Sequence, residues 1–203
     1  MNCPLCKSTG SLFHPPLYMQ CTHCKAIYRL ELPDSTEEKE RYEMHNNDVN
    51  DPNYQKFVSP ITTYILEHFT PQHNGLDFGS GTGPVISKIL MDNYFSVKQY
   101  DPYFANIPEV LQATYDYIAC CEVIEHFHKP EKEFHLLKNL LKPGGALVCM
   151  THLYDAVIPF KNWYYKNDPT HVFIYRKETM AYIAEKFGFK SFQIDNRRIV
   201  FQN

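Results

Sequence analysis

From residue 57 onward, the apolar positions alternate between helical spacing and short continuous runs. Helical spacing begins after Ser59-Pro60, where serine suits the cap of a helix and proline its first position. The same spacing recurs from Pro84 to Leu90, from Pro130 to Leu141 and from Arg176 to Phe187. This part of the chain therefore predicts helices separated by apolar segments that are too short to be helical.

Those short apolar segments predict strands. They run from Leu76 to Phe78, Ser96 to Tyr100, Tyr115 to Cys121 and Ala146 to Thr151, and near 190–195 and 198–202. The third run is apolar enough for the centre of a parallel sheet, and the last two predict a terminal antiparallel hairpin. Strands that alternate with helices predict an α/β fold with a doubly wound, Rossmann-like sheet, whose ligand lies outside the carboxyl ends of the strands.

Composition and charge narrow the class of protein. The 203 residues are 44% hydrophobic, which is enough for a buried core, and the net charge is −3. An overall basic surface of the kind that binds nucleic acid non-specifically is therefore not expected. The apolar runs fall short of the ~18 residues of a membrane span, and the N-terminus lacks the pattern of a signal peptide. We expect a globular, cytoplasmic protein.

Four of the seven cysteines lie in the first 24 residues, as Cys3-x-x-Cys6 and Cys21-x-x-Cys24. Each pair places two thiolates on one turn, and two such turns complete the four-thiolate arrangement typical of structural zinc. Iron takes the same ligands, and two free or redox-active thiol pairs are a further alternative. Because so short a segment cannot build a stable core alone, the metal would contribute much of its folding.

The sequence divides into three parts on these grounds. Residues 1–32 are predicted to form a zinc-ribbon-like module, residues 33–56 a linker or helical connection, and residues 57–203 the α/β domain. Within the connection, the charged run from Glu37 to Arg41 is interpreted as the solvated face of a helix. The stretch from Asn46 to Asn53 is interpreted as a loop.

A glycine-rich loop joins the first predicted strand to the next helix. It reads Gly79-Ser80-Gly81-Thr82-Gly83. The dinucleotide pattern G-x-G-x-x-G is incomplete because Pro84 takes its last position. Asp77, two residues before the glycines, favours a cationic ligand, and Asp101 ends the second strand, where a carboxylate can accept bonds from both ribose hydroxyls.

These segments resemble the motifs of class I S-adenosylmethionine-dependent methyltransferases. Gly75 to Gly83 is similar to their first motif, Tyr100-Asp101-Pro102 to their ribose-binding acid, and Tyr115 to His126 to their fourth strand and its loop. Leu141 to Gly145 is similar to the approach to their fifth strand. The resemblance covers about residues 57–203 and is nearest to the ubiquinone-biosynthesis-type O-methyltransferases.

The resemblance implies a cofactor and the residues that bind it. S-adenosylmethionine would be bound by these residues: Asp77, Phe78, Gly79, Ser80, Gly81, Thr82, Gly83, Asp101, Pro102, Cys121 and Glu122. One departure concerns the third strand of the family. Because Asp116 follows Asp101 by only 15 positions, that strand and its helix are shortened, and the acid that often binds the adenine amino group is not evident.

The segment Glu122-x-x-Glu125-His126 follows the central strand and carries the predicted chemistry. On a helix these three side chains would share one face, and two carboxylates with an imidazole suit a hard or borderline divalent cation such as magnesium. The segment resembles that of small-RNA 2′-O-methyltransferases and ubiquinone O-methyltransferases, in which a distant histidine completes a metal site; His171 matches it here. Alternatively, His126 or His171 is a metal-free general base, or Glu125 and His126 only cap a loop.

The stretch from Tyr154 to Tyr175 is rich in aromatic residues and lies between the fifth strand and the last helix. It is predicted either to form a lid over the substrate or to be a long loop packed by its own aromatic side chains. Two lysines in it, Lys161 and Lys166, are too few to establish an RNA groove.

The sequence predicts an S-adenosylmethionine-dependent methyltransferase, with Glu125, His126 and His171 as catalytic residues. A small or carrier-linked substrate methylated on oxygen is favoured. One alternative is an RNA or tRNA methyltransferase whose zinc ribbon holds the nucleic acid. Another is a non-catalytic, cofactor-binding interaction protein.

Overall fold

The protein is described by a computed structural model over residues 2–44 and 48–203. Its larger sheet has six strands in the order β5-β4-β6-β7-β10-β9. The strands are β4 (Asn74–Phe78), β5 (Ser96–Tyr100), β6 (Tyr115–Cys121), β7 (Leu141–Met150), β9 (Ser191–Asp195) and β10 (Arg198–Gln202). The first four are parallel, and β10 is antiparallel to both of its neighbours. The predicted α/β fold and terminal hairpin are confirmed.

Both faces of this sheet are covered by helices. The helices are α2 (Pro52–His68), α3 (Val85–Asp92), α4 (Pro130–Asn139) and α5 (Lys177–Lys186). Side chains alternate along β6, so Tyr117 and Ala119 pack with α2 and α3, whereas Ile118 and Cys120 pack with α4 and α5. A strand that is buried on both faces explains why this run is continuously apolar.

The helix predicted to start at Ser59-Pro60 begins earlier, and that prediction is wrong. Asp51 caps α2 by accepting a hydrogen bond from the Asn53 amide, and Pro52 takes the first position. Pro60 lies inside the helix, where its ring nitrogen cannot donate to the Lys56 carbonyl. The Ser59 hydroxyl donates to that carbonyl at 2.8 Å instead.

The loop predicted from Asn46 to Asn53 is only partly testable. Its first two residues lie outside the described residues, and its last two belong to α2. A second boundary also differs, since β7 starts at Leu141 rather than Ala146. A register shift between Tyr115 and Tyr117 accommodates the Pro-Gly-Gly segment of β7 in the ladder.

The third-strand region is shortened as predicted. Between β5 and β6 the chain forms a single 3-10 helix, Pro108–Gln112, and β5 is an edge strand of the sheet. This leaves the end of β5 beside α4 without the strand and helix that would otherwise cover it.

The N-terminal segment forms a second sheet that includes a strand from the far end of the chain. Its order is β1-β2-β3-β8, with β1 (Gly10–His14), β2 (Tyr18–Cys21), β3 (Ile27–Arg29) and β8 (Phe173–Ile174). Helix α1 (Ser35–Glu43) follows, with a capping box between Asp34 and Glu37. Because β8 lies within the predicted residues 57–203, the two predicted parts share a sheet. None of the helices in the described ranges is long and apolar enough to cross a membrane.

Candidate active site

The glycine loop forms a close turn at the carboxyl end of β4. Gly79 and Gly81 have φ values of 77° and 65°, in the left-handed region that favours glycine. A Cβ on Gly79 would lie 2.3 Å from the Val123 side chain, so the loop can approach the β6 segment only with glycine there. A Cβ on Gly81 would point into open space, which leaves its backbone open to a ligand.

Asp101 ties the second strand to this loop. Its Oδ2 accepts a hydrogen bond of 3.0 Å from the Gly81 amide, and its Oδ1 accepts from the amides of Tyr103 and Phe104. The carboxylate is thereby held beside the glycine loop, where a ribose would bring its hydroxyls.

Asp77 is placed differently from the other predicted cofactor residues. Its carboxylate is buried beneath the loop and accepts bonds from the hydroxyl and amide of Ser87, at 2.7 and 3.2 Å. Burial raises the pKa of Asp77 to about 6, and the nearby Asp101 adds to the rise. In this position Asp77 fastens the loop to α3.

A cavity of ≈ 1170 Å³ lies over the carboxyl ends of the parallel strands. Its lining includes many predicted residues: Phe78, Gly79, Ser80, Gly81, Thr82, Asp101, Pro102, Cys121, Glu122, His126 and His171. Three other predicted residues, Asp77, Gly83 and Glu125, do not line it. The position of the cavity therefore agrees with the rule that ligands of doubly wound sheets bind beyond the carboxyl ends of the strands.

His126 and His171 line one side of this cavity, and the buried Glu125 lies next to them. Their ligand atoms are all within 4.8 Å of one another. His126 donates from Nδ1 to the Thr170 carbonyl at 2.9 Å, and His171 donates from Nδ1 to the Tyr165 carbonyl at 2.7 Å. Because Nδ1 carries the proton in each ring, Nε2 is the nitrogen with a lone pair.

Glu125 is fully buried, and its two carboxylate oxygens differ in their hydrogen bonding. Oε1 accepts a hydrogen bond from the Tyr165 hydroxyl, whereas Oε2 is buried and has no hydrogen-bond partner among the described residues. Burial raises the pKa of Glu125 well above its ordinary value, and the charge of Glu122 raises it further. A buried, unpaired carboxylate oxygen is costly unless a cation or proton compensates it.

Glu122 faces a different partner from the one its spacing predicts. Its Oε2 accepts a bond of 2.6 Å from Arg197, and the Tyr165 hydroxyl lies 3.1 Å away. Glu122 is not among the three clustered ligand residues, because it has φ 51° and the segment forms a 3-10 turn, Ile124–His126, rather than an α-helix. Sequence reasoning missed Tyr165 and Arg197, which reach the site from distant segments.

Comparison with known proteins identifies the family to which the chain belongs. A sequence profile described as a methyltransferase domain matches residues 51–194. The chain belongs to this methyltransferase family. None of the curated proteins matches the chain.

Solved structures share the fold of the methyltransferase. A SAM-dependent methyltransferase from Archaeoglobus fulgidus superposes with a TM-score of 0.58 and 15% identity, over 84% of this chain and 100% of that one. An O-methyltransferase family protein from Burkholderia thailandensis superposes with a TM-score of 0.55 and 13% sequence identity, over 81% of this chain and 61% of that one.

A phosphoethanolamine N-methyltransferase from Haemonchus contortus superposes with a TM-score of 0.56 and 17% sequence identity. The match covers 79% of this chain and 43% of that one. The methyltransferase thus spans less than two thirds of the length of the Burkholderia and Haemonchus proteins. The family confirms the predicted methyltransferase, and its fold is shared by a solved S-adenosylmethionine-dependent methyltransferase.

Helix α1 closes over the cavity of the methyltransferase. Its charged run is solvated as predicted at Glu37, Lys39 and Glu40, but not at Glu38. Glu38 is 7% exposed and accepts a bond of 2.8 Å from the Tyr103 hydroxyl, while its other oxygen lies 2.8 Å from His128 Nε2. Arg41 donates to Asp168 from two nitrogens, at 3.0 and 2.8 Å. Glu38 and Arg41 therefore pair across the cavity, while the rest of the charged run is exposed to solvent.

The aromatic stretch is packed largely by its own aromatic side chains, as one of its two predictions states, and part of it lines the cavity. Tyr154, Phe160, Trp163 and Tyr165 are buried in one cluster, which also contains residues of the N-terminal sheet such as Tyr18. Cavity-lining residues of the stretch are Tyr164, Tyr165, Asn167, Asp168 and His171. Most of the aromatic rings therefore pack the loop against the N-terminal sheet, and residues 164–171 supply its contribution to the cavity wall.

The four N-terminal cysteines come together as their spacing predicts. The sulfurs of Cys3 and Cys24 are 3.6 Å apart, those of Cys6 and Cys21 are 3.3 Å apart, and all four lie within 4.8 Å of one another. The hydrogen bond with Cys24 lowers the pKa of the Cys3 thiol to about 5. Free Cys120, Cys121 and Cys149 lie elsewhere, in the strands of the larger sheet.

Proposed function

We propose that this methyltransferase transfers the methyl group of S-adenosylmethionine to a hydroxyl oxygen of a small or carrier-linked substrate. In this proposal Glu125, His126 and His171 hold a divalent cation beside that hydroxyl. The observation that carries it is Glu125 Oε2, a buried oxygen without a hydrogen-bond partner among the described residues, in a cluster in which the ligand atoms of Glu125, His126 and His171 lie within 4.8 Å of one another.

The donor set favours one kind of cation. Two imidazoles and one carboxylate are the ligands that borderline ions such as Zn²⁺, Fe²⁺ and Mn²⁺ accept. Magnesium takes oxygen ligands in an octahedron and rarely accepts two imidazoles. The geometry therefore supports a borderline ion over the magnesium that the sequence also allowed.

Methyl transfer to oxygen needs an aligned and activated hydroxyl. A divalent cation lowers the pKa of a hydroxyl that coordinates it. The chain does the positioning: the glycine loop and Asp101 hold the cofactor on one side, and the 3-10 turn with Glu125 and His126 holds the nucleophile on the other. Carbonyl partners fix the tautomer of both histidines, and the Tyr165 hydroxyl fixes the orientation of Glu125.

A small or carrier-linked substrate fits the enclosure of the cavity better than a nucleic acid. Helix α1 crosses the cavity and is fastened to its far wall by the Arg41–Asp168 pair. The N-terminal sheet, which would have to hold RNA in the alternative, packs Tyr18 and Ile27 against the aromatic loop. The net charge of −3 also gives no general attraction for phosphates.

We also propose that the N-terminal cysteines bind zinc as a structural ion. Four sulfurs within 4.8 Å of one another fit a closed tetrahedral site, and three of the four cysteines are buried. Such a site leaves no position for substrate, so its contribution is to the folding of the segment.

Metal content tests the catalytic site. Wild-type protein is loaded with Zn²⁺, Mn²⁺ or Mg²⁺ and its metal is measured by mass spectrometry, beside Glu125→Gln, His171→Asn and a matched surface control, His135→Asn. We expect the first two variants to lose one divalent ion per chain, and His135→Asn to lose none. Unchanged stoichiometry in Glu125→Gln and His171→Asn would leave the metal-free base as the mechanism.

The acceptor atom is tested separately. The enzyme is incubated with S-adenosylmethionine carrying a ¹³C-methyl group and with a mixture of small hydroxylated and aminated metabolites. Methyl resonances at the shifts of methoxy groups support O-methylation, whereas resonances of N-methyl groups contradict it. Calorimetry with S-adenosylhomocysteine shows in parallel that the cofactor site is functional.

A further inference from the structure

The shortened third-strand region leaves a recess at one end of the cavity. Only residues 101–114 join β5 to β6, so the end of β5 is open toward α4. The cavity-lining residues of this region are Tyr100, Leu111, Phe127 and Leu136, which belong to one apolar cluster, and Glu133, whose charge acts on Tyr100. Three of its walls come from separate elements, namely the end of β5, the 3-10 helix and α4.

The position of the recess identifies which part of the cofactor would reach it. Asp101 directly follows Tyr100 and, beside the glycine loop, marks the position proposed for the ribose of the cofactor. The adenine of S-adenosylmethionine extends from the ribose away from the sulfur. The apolar side chains of the recess suit a flat ring, as ligand pockets are mostly apolar with a few placed polar groups.

Glu133 differs from the other carboxylates that line the cavity. Glu38, Asp101, Glu122 and Asp168 all accept hydrogen bonds from described groups. The Glu133 carboxylate has neither a hydrogen bond nor an ion pair with any of the residues that the structure describes, and it feels Lys129 and Lys132 only at longer range. It is half-buried on α4, and burial raises its pKa above the ordinary value of a glutamate.

We propose that Glu133 binds the exocyclic amino group of the cofactor's adenine. The amino group has two N–H donors, and leaving them without an acceptor in an apolar recess would cost affinity. A carboxylate from α4 would thereby replace the acid that a longer third-strand region would supply. The proposal depends on the use of S-adenosylmethionine and is independent of the metal and of the substrate.

Binding of two cofactor products tests this directly. S-adenosylhomocysteine carries the amino group, and S-inosylhomocysteine has a carbonyl oxygen in its place. In calorimetry, wild-type protein is expected to bind S-adenosylhomocysteine at least about 10-fold more tightly than S-inosylhomocysteine. The amino group of the first donates a hydrogen bond to the carboxylate, whereas the carbonyl oxygen of the second is repelled by it.

The substitution Glu133→Gln should remove this preference. Its amide can donate to the inosine carbonyl, so we expect the ratio of the two dissociation constants to fall to about 1 or to reverse. Glu109→Gln, an exposed acid on the neighbouring 3-10 helix, is the matched control and should keep the wild-type ratio.

Two results would overturn the assignment. One is equal binding of both compounds by wild-type protein, which needs no variant to be folded. The other is a wild-type ratio in Glu133→Gln, with both affinities unchanged or both lowered equally. Failure of S-adenosylhomocysteine to bind wild-type protein at all would instead contradict the use of the cofactor itself.

Discussion

The amide of Val172 donates a hydrogen bond of 3.0 Å to the carbonyl oxygen of Glu125. On its other side, the Val172 carbonyl accepts a bond of 2.9 Å from the Arg29 amide, at the end of β3. Strand β3 therefore links the cysteine cluster to the segments that carry Glu125 and His171. The N-terminal segment is part of the scaffold of the active site.

We predict that loss of the cysteine site disturbs the proposed catalytic cluster. Cys24→Ser removes one of four thiolates, so the turn before β3 is no longer fixed, and the β3–β8 pairing weakens. Expected results are loss of about one zinc per chain and a fall in melting temperature of at least several degrees, since removal of a structural metal acts on folding itself. Mass spectrometry of the metal and thermal unfolding measure both.

A matched control comes from the core. Cys149→Ser changes a thiol of β7 outside the cluster and should keep the zinc content of the wild type. Wild-type zinc content in Cys24→Ser would show that the four sulfurs do not act as one site.

Tyr165 is expected to position the proposed ligands. Tyr165→Phe removes the hydroxyl that binds Glu125 and lies 3.0 Å from Thr151 Oγ1, but it keeps the ring that contacts His171 and the carbonyl that accepts its bond. Leaving a buried carboxylate oxygen without its donor costs about 1–3 kcal/mol. We expect divalent ions to bind at least about 10-fold more weakly by calorimetry.

S-adenosylhomocysteine affinity separates this effect from a general defect. It should stay within about two-fold of wild type in Tyr165→Phe, because the glycine loop and Asp101 are untouched. Equal losses of metal and product affinity would point to collapse of the whole cavity.

Helix α1 is expected to slow the release of the cofactor. Arg41→Ala removes the pair with Asp168 that fastens α1 across the cavity, a contact of about 0.5–1 kcal/mol for a partly exposed pair. The dissociation rate of S-adenosylhomocysteine should rise about two- to five-fold in stopped-flow measurements. Lys39→Ala removes an exposed pair with Glu43 on the same helix and should leave the rate unchanged. A rate that rises equally in both variants would mean that only the stability of α1 matters.

The buried carboxyl of Asp77 predicts a specific pH dependence. Its folded pKa of about 6 exceeds the unfolded value, so the folded state binds the proton more tightly. The contribution of Asp77 to the free energy of unfolding is therefore greatest at low pH. It falls as the pH rises through the window between the two values, and it stays low above about 6.

Asp77→Asn lacks this titration. From pH 4 to pH 7, the variant should gain about 1–3 kcal/mol in the free energy of unfolding relative to wild type. Urea unfolding of the ligand-free proteins across this range measures the difference. A difference that stays constant with pH would show that Asp77 has an ordinary pKa, and a change of opposite sign would show that its charge is stabilised.

The predictions that agree with the structure are those that depend on residues close together in the sequence. The glycine loop, the strands β4, β5 and β6 and the pairing of cysteines depend on residues close together in sequence, and the structure places them as expected. The start of α2 was misjudged because two Xaa-Pro signals, at Asp51-Pro52 and Ser59-Pro60, compete eight residues apart. Only packing decides that the second proline stays inside the helix.

The charged run of α1 shows what a sequence pattern leaves open. Glu38 and Arg41 have the spacing of a solvated face, yet they pair with His128 and Asp168, which lie 90 and 127 positions further along the chain. His128 lies just before α4 and Asp168 in the long loop before α5, so both become neighbours of α1 only in the folded chain.

By itself, the sequence determined the α/β architecture, the glycine loop and the residue types of a cation site, since these follow from periodicity, backbone freedom and ligand chemistry; the resemblance of its motifs added the methyltransferase family. The resemblance already pointed to His171 beside Glu125 and His126, but the tertiary structure alone decided that Glu122 lies outside this cluster and pairs with Arg197. It also decided that the N-terminal sheet takes in β8 and that α1 covers the cavity. The physical reason is burial, because removing these charged and polar groups from water makes each of them depend on a partner that only the folded chain brings within reach.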